Sequence, residues 1–468
     1  VRADGNILSG KGVIVGVIDT GIDIFDNAFR NSDGTTRILN IYDQTTGEKY
    51  DKQSIDEYIR LNEDLSGGTF SYDNAPGVDN IMHGTDVSYI AAGSLGVAYE
   101  ADIIAVKMGY SINNQFPRTT SLMDAIDYII RKAIEYRKPV AVNISYGCNY
   151  GAHNGNTLLE SFIDDISKSY RCVICVGSGN EADKAIHFGG IINTGQVQTA
   201  YLSVGEYQSA IDIQIWKNYW DTIDVMLINP RGEQIGIITE GRINRYETYN
   251  TEIITLLGEP SPYNIYQEIY INLIPKTDYI LSGIWQIVLM AGSIRAGEYN
   301  IWLPSSQALG YATAFNNPTA DGTITIPATA RNCIAVGAYN AYTNSYAAFS
   351  GRGFDNSIRN VNAGVKPDIT APGVDISIAR QRGNDITYRN VTGTSYAVPV
   401  VTGAAALLMQ WGIVMGNDRF MYGEKLKAAL INGSKPVGLV GITRNDNQPD
   451  PRTGWGAVCL KNTLNKIL

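Results

Sequence analysis

Residues 13–19 read VIVGVID, an almost unbroken apolar run that closes on an acid and is followed by TGID. A run this continuous fits a strand buried on both faces, and such strands belong to parallel sheets covered by helices. ADIIAVKMG (101–109), VAVNISYG (140–147) and CVICVGSGN (172–180) repeat the pattern. Helical periodicity separates them. SLMDAIDYIIRKAIEYRKP (121–139) places Leu122, Ile126, Ile129, Ile130 and Ile134 on one face and stops at Pro139; a second helix is predicted near 157–169. Strands alternating with helices predict right-handed crossovers, a mostly parallel sheet, and functional sites beyond the carboxyl ends of its strands.

The pattern changes near residue 196. AIDIQIWKNYWDTIDVMLINPRGEQIGIIT alternates apolar and polar residues, and Ile223, Val225 and Leu227 lead into the turn signal NPRG at 229–232. EIYINLIP, GIWQIVLM and EYNIWLP carry the alternation on to Pro304. The expected architecture is an α/β core, doubly wound around a mostly parallel sheet, over 1–197 and 321–468. An antiparallel β-sandwich resembling a jelly roll is inserted over 198–320. The core resumes with RNCIAVGAYN (331–340), KPDITAPG (366–373) and GTSYAVPVVTGAAALLMQW (393–411), the last a buried helix of small and apolar residues. A second module is also what length requires, because 468 residues exceed the roughly 250–300 at which single cores stop growing.

Several classes of function are disfavoured. The net charge of −9, with no basic run, argues against nucleic acid or an anionic membrane as partner. No apolar run approaches the roughly 18 residues of a membrane span. Of the five cysteines, Cys172 and Cys175 have the spacing of a redox or metal pair. On a buried strand, however, residues three apart face opposite sides, so core cysteines are expected and no metal or other cofactor is predicted. The chain opens VRADGNILSG, without methionine or a signal-like stretch; a trimmed chain or a cleaved N-terminal piece is expected.

Three residues combine into chemistry. Asp19 ends a strand, His83 opens the helical stretch HGTDVSYIAAG (83–93), and Ser395 lies at the start of the last buried helix. A serine hydroxyl is a weak nucleophile until a base takes its proton, and the base needs an acid to orient it. Each residue has a plain alternative: an acid binding a turn, a satisfied histidine, an N-cap serine. Together they resemble something specific. GVIVGVIDTGID, HGTDVSYIAAG and GTSYAVPVVTGAAAL are similar to the three signature blocks of the subtilisin-like serine proteases, in that family's order. VGSGNE (176–181) resembles its oxyanion block, which implies that Asn180 is the side-chain oxyanion donor rather than a helix cap. NISYG (143–147) resembles the strand that pairs with substrate. The resemblance thus implies pocket walls from Ser145, Tyr146 and Gly147 and from Gly177, Ser178 and Gly179. It covers residues 7–195 and 322–468.

An insertion between the oxyanion and serine blocks is similar to that of the clostridial Csp germination proteases. This narrower resemblance implies a serine endopeptidase of the bacterial spore that activates the zymogen of a cortex-lytic enzyme. Its own cleaved propeptide would stay bound, with the cut before Val1. The rival is a catalytically silent sensor or scaffold, because the resembled group includes members lacking triad residues; here all three are present. His153 and His187 have no flanking motif and are read as ordinary loop or surface residues. Asp23 and Asp26 are read as turn-capping acids, not a calcium site. The histidine block departs from the family at Asp86, where a second histidine is usual, and at Tyr89, where glycine is usual. Asp86 is either a first-turn acid favoured by the helix dipole, worth ~0.3–1 kcal/mol, or a competitor of Asp19 for the imidazole. Tyr89 predicts altered packing behind His83.

Overall fold

Strand Ile14–Asp19 sits mid-sheet, hydrogen-bonded in parallel to Asp102–Lys107 on one side and Val140–Ile144 on the other. Outward from these lie Ile38–Asp43 and Cys172–Gly177, then Ile334–Asn340, which pairs with Ile369–Pro372. Short antiparallel strands finish both ends of this nine-stranded sheet. The computed structural model describes the chain apart from residues 1, 4, 64–74, 110–117, 240–241, 260–261, 263, 355–364, 383–384 and 439–448. Val1, the expected processing point, lies outside the described residues.

The continuous apolar run is explained by helices on both faces. Val15 and Val17 pack toward helices His83–Ala92 and Thr394–Met409, and Ile14 and Ile18 toward Thr119–Tyr136 and Leu158–Ser169. Cys175 joins the first layer and Cys172 the second, which separates the C-x-x-C pair across the sheet; all five cysteines are free thiols. Helix Thr119–Tyr136 ends where Arg137 turns left-handed, at φ 56°. Ile134, expected on its apolar face, is instead 51% exposed; in the last turn the fully buried Ala133 takes the core-facing position. The segment Thr394–Val414 also departs from expectation. It is apolar and long enough to cross a bilayer, yet 83% of its apolar window is buried inside the protein. It is the core helix that an α/β layer of this thickness requires.

The helices carrying His83 and Ser395 pack directly on each other. Gly403 permits this contact: a Cβ there would lie 2.9 Å from the Ala91 carbonyl oxygen and 2.5 Å from Val97 Cβ.

Between the two halves of the core, a five-stranded and a six-stranded antiparallel sheet enclose one apolar layer. Ile223, Val225 and Leu227 alternate inward, as period two demands. Strand His187–Ile191 already belongs to the six-stranded sheet, ahead of residue 198 where the inserted sandwich is expected to begin. The histidines expected at the surface are buried where sandwich meets core. His153 and His187 stack on the Trp302 ring, with centroids 4.1 and 4.9 Å away, and are 4% and 0% exposed. The His153 ring nitrogens lie against the carbonyl oxygens of Ile324 (2.6 Å) and Asn149 (3.1 Å). Burial lowers its pKa to about 4. Neither histidine carried a local signal of this packing.

Gly403→Ala is expected to lower stability by roughly 1–3 kcal/mol through overpacking against backbone. Urea unfolding with an unchanged m-value checks this; a stability equal to the wild type would show that the helix contact has slack.

Candidate active site

Asp19 ends the central strand and is 1% exposed. Its Oδ1 accepts the Thr20 N–H at 2.7 Å and meets His83 Nδ1 at 2.6 Å. His83 is the first residue of its helix, which begins after Met82 in left-handed conformation (φ 67°). The free N–H groups of that first turn find partners in Asp79, a fully buried acid that the sequence reading passed over. Asp79 accepts from Met82 N and Thr85 N, both at 2.8 Å, and from the Thr20 and Thr85 hydroxyls at 2.7 and 2.8 Å. Thr20 Oγ1 in turn accepts the Gly84 N–H at 2.9 Å, stitching the strand end to the helix start. A Cβ at Gly84 would clash with the Gly21 carbonyl and lie 3.0 Å from Asp19 Cβ, so glycine sets how closely the base approaches its acid.

Burial alone would disfavour a charged His83. The Asp19 charge and hydrogen bond outweigh it, Asp79 adds to them and Arg389 opposes, leaving the pKa above the ordinary 6.5.

Asp86 does not compete for the imidazole. It is fully buried and pairs with Arg380, whose Nε lies at 3.0 Å, and with Arg389. Both arginines come from the hairpin Ile376–Arg382 and Asp385–Val391, and both also donate to the Met82 carbonyl oxygen, at 3.0 and 3.4 Å. Tyr89, one turn on, is 6% exposed and its hydroxyl hydrogen-bonds the Ala379 backbone of the same hairpin. The room it needs comes from Gly93, where a Cβ would fall 2.9 Å from the ring. Asp86 and Tyr89 therefore anchor one hairpin over the start of the histidine helix.

That hairpin leads straight into Gly393 and helix Thr394–Met409, with Ser395 in the first turn. Pro399 has no N–H to give the carbonyl four residues back, which is that of Ser395. The Ser145 hydroxyl bonds that carbonyl instead, at 3.2 Å. Tyr396 places its ring 5.4 Å from the His83 ring. Ser395 Oγ and His83 are not hydrogen-bonded in this conformation; nucleophile–base contacts often tighten only with substrate in place. Asn180 Oδ1 accepts from the Thr394 N–H (2.9 Å) and hydroxyl (3.0 Å). These two donors fix the amide orientation and leave its NH₂ group beside Gly393, available to an oxyanion.

The expected pocket walls leave the ends of neighbouring parallel strands, Val140–Ile144 and Cys172–Gly177. Tyr146 is partly buried against the helical layer behind the sheet. Gly177 backs onto Thr394 and Val398 of the serine helix. Ser178 is fully buried with its hydroxyl 3.3 Å from that of Ser350, so it offers the pocket backbone rather than side chain. Asp23 and Asp26 cap a turn: Asp23 accepts from Phe25 N at 3.0 Å and Asp26 from Ala28 N at 2.9 Å.

With three histidines in the chain, imidazole titration by NMR is resolvable residue by residue. His83 should titrate above 6.5 and His153 near 4. Arg389→Gln removes an opposing charge and should raise the His83 midpoint further; Asp19→Asn leaves burial dominant and should drop it below 6.5. A His83 midpoint unmoved by Asp19→Asn would contradict the pairing.

The sequence profile of the subtilase family matches residues 10–261 and 296–456. A solved structure of the CspB protease of Clostridium perfringens superposes with a TM-score of 0.88 at 34% identity, covering 98% of this chain and 94% of that one. Among curated relatives, subtilisin E of Bacillus subtilis is 38% identical over 107 residues, 22% of this chain and 24% of its own length. The subtilase-type proteinase RRT12 of Saccharomyces cerevisiae is 33% identical over 128 residues, 27% of this chain and 23% of its own length. The chain thus aligns with about a quarter of these curated relatives. Its central parallel sheet, its signature blocks and these matches agree: the chain belongs to the subtilase family of subtilisin-like serine endopeptidases.

Proposed function

We propose that this chain hydrolyses peptide bonds of a protein substrate through Asp19, His83 and Ser395. The observation that carries the reading is the His83 imidazole, held on one edge by Asp19 and lying beside Tyr396, the residue after Ser395. In this mechanism Ser395 Oγ attacks the scissile carbonyl as His83 takes its proton, and His83 then gives that proton to the leaving amine. Asp19 holds the imidazole in the tautomer with hydrogen on Nδ1 and stabilises the imidazolium. The oxyanion receives the Asn180 NH₂ and the Ser395 backbone N–H, donors fixed before the reaction begins. The substrate backbone runs between Ser145–Gly147 and Gly177–Gly179. Because the base works neutral and its pKa is raised, activity should climb with pH through a midpoint above 6.5.

The finer reading is limited proteolysis: activation of the zymogen of a spore cortex-lytic enzyme during germination, in the spore, with the cleaved propeptide retained. Its support is the likeness to the CspB protease of Clostridium perfringens over nearly the whole chain, insertion included.

The purified chain incubated with such a zymogen should yield one discrete cut, absent with Ser395→Ala. Asn180→Ala should lower kcat by roughly 10²–10³-fold without changing the unfolding midpoint. Uncut zymogen alongside hydrolysis of a generic protein would overturn the germination role alone. A near-normal rate for Asn180→Ala would overturn the oxyanion assignment.

A further inference from the structure

Asn180 sits at the seam between the core and the inserted sandwich. Strand Cys172–Gly177 of the core ends just before it, and the next strand, His187–Ile191, already belongs to the sandwich. Between the two strands the chain is held from both sides. The Ala182 N–H donates to the Phe349 carbonyl oxygen of the core at 3.1 Å. The carbonyl oxygens of Ala185 and Ile186 accept the N–H groups of Phe315 and Leu303, at 2.8 and 3.0 Å. Glu181 adds a tie through its side chain. It is 7% exposed, and its carboxylate accepts the Ser306 N–H at 3.0 Å and the Ser306 hydroxyl at 3.3 Å. Ser306 opens the short turn Ser306–Ala308, shortly after the sandwich strand Glu298–Trp302. Burial pushes the Glu181 pKa up, and the two Ser306 bonds pull it part of the way back. The carboxylate next to the proposed oxyanion donor is thus held in place by a residue of the insertion.

Resting on the reading of Asn180 as oxyanion donor, we propose that Ser306 and Glu181 are positioning residues: by clamping Glu181, the inserted sandwich sets where Asn180 presents its NH₂ group. Asn180 is held at two points. Its Oδ1 is fixed to the serine helix by Thr394. Its backbone is fixed to the sandwich by the Glu181 clamp, one peptide bond away. With the clamp open, Glu181 turns toward water, because a buried carboxylate without donors is costly, and the Asn180 backbone follows it. An oxyanion donor is effective only where the charge develops, and a misplacement of about 1 Å can cost on the order of 10²-fold in rate. Charge alone does not explain an acid here, since a carboxylate beside an oxyanion opposes the developing negative charge. Its use at this position is as an acceptor that ties two modules together.

The test is a double-mutant cycle on the full chain, read by the rate at which a fluorophosphonate labels Ser395, because the phosphonyl oxygen enters the same hole as the oxyanion. Ser306→Pro deletes both donors at once. The first position of a helical turn tolerates proline, and Ser305, at φ −56° and ψ 147°, already has the extended conformation that a following proline requires. This variant should lower the maximal labelling rate roughly tenfold, the scale of one hydrogen bond, with the half-saturating probe concentration unchanged. In an Asn180→Ala background the same substitution should change the rate by less than about twofold, since the donor it positions is gone. Ser306→Ala removes the hydroxyl alone; it should give a smaller loss that vanishes in the same background, and it carries the test where Ser306→Pro folds poorly. Glu181→Ala should be as slow as Ser306→Pro. Glu181→Gln, whose amide can accept from the N–H and donate to the hydroxyl, should recover most of the rate. Wild-type rates for both Ser306→Pro and Glu181→Ala, or an equal loss with and without Asn180, would overturn the proposal and leave the triad standing. Asn180→Ala labelled as fast as the wild type would remove the oxyanion premise and this proposal with it. A wild type that the probe does not label would overturn the protease reading itself.

Discussion

A single hydrogen bond, His83 Nδ1 to Asp19 Oδ1 at 2.6 Å, is the constraint around which the core is organised. Both groups are largely withdrawn from water, where an unpaired charge would be costly, so each needs the other. Their meeting depends on backbone geometry rather than on side-chain reach. The central strand must end at Asp19, the helix must begin at His83, and Gly84 must let the two approach. Asp79 satisfies the helix's free amides from outside the helix and locks Thr20 in the same stroke. On the far side of the sheet the helices pack through a broad apolar layer, tied to the sheet and its loops by separate polar bonds such as Tyr136 to Asn40 and Asn332 to Asp164.

At Asp86, in the first turn of the histidine helix, this chain has built an ionic anchor. Asp86 is buried, so its two arginine partners are what make its charge tolerable; removing them would leave a charge stranded among apolar side chains. Because the anchored hairpin runs on into Gly393 and Ser395, the start of the base's helix and the start of the nucleophile's helix are joined through one short ribbon. Ser145 closes a second link, from the parallel sheet to the carbonyl that Pro399 leaves free. The candidate site is therefore cross-braced by elements far apart in sequence.

What was legible in the sequence was what is local. VIVGVID announces a doubly covered strand because both its faces are apolar, and Ile223, Val225 and Leu227 announce a half-covered one because only alternate residues are. Asp19, His83 and Ser395 could be singled out because each sits in a short block whose neighbours are small for a reason. Contacts made across hundreds of residues left no such trace. Arg380 and Arg389 read as ordinary charges on a polar ribbon, and nothing in LPSSQA marks Ser306 as the partner of Glu181. Asp79 had a faint signal, an acid four residues ahead of a helix start, but outside the usual N-cap position. His153 and His187 looked like loop residues because the ring that buries them, Trp302, lies at least 115 residues away.

The central claim is that acid, base and nucleophile act as one unit in the cleft above the sheet. The most direct measurement is the rate of covalent labelling by a fluorophosphonate as a function of pH, with the modified residue located by mass spectrometry. The account predicts a single adduct on Ser395, a rate that rises as His83 loses its proton above 6.5, and near-complete loss of labelling in His83→Ala. An unlabelled Ser395, or labelling indifferent to the loss of His83, would contradict it.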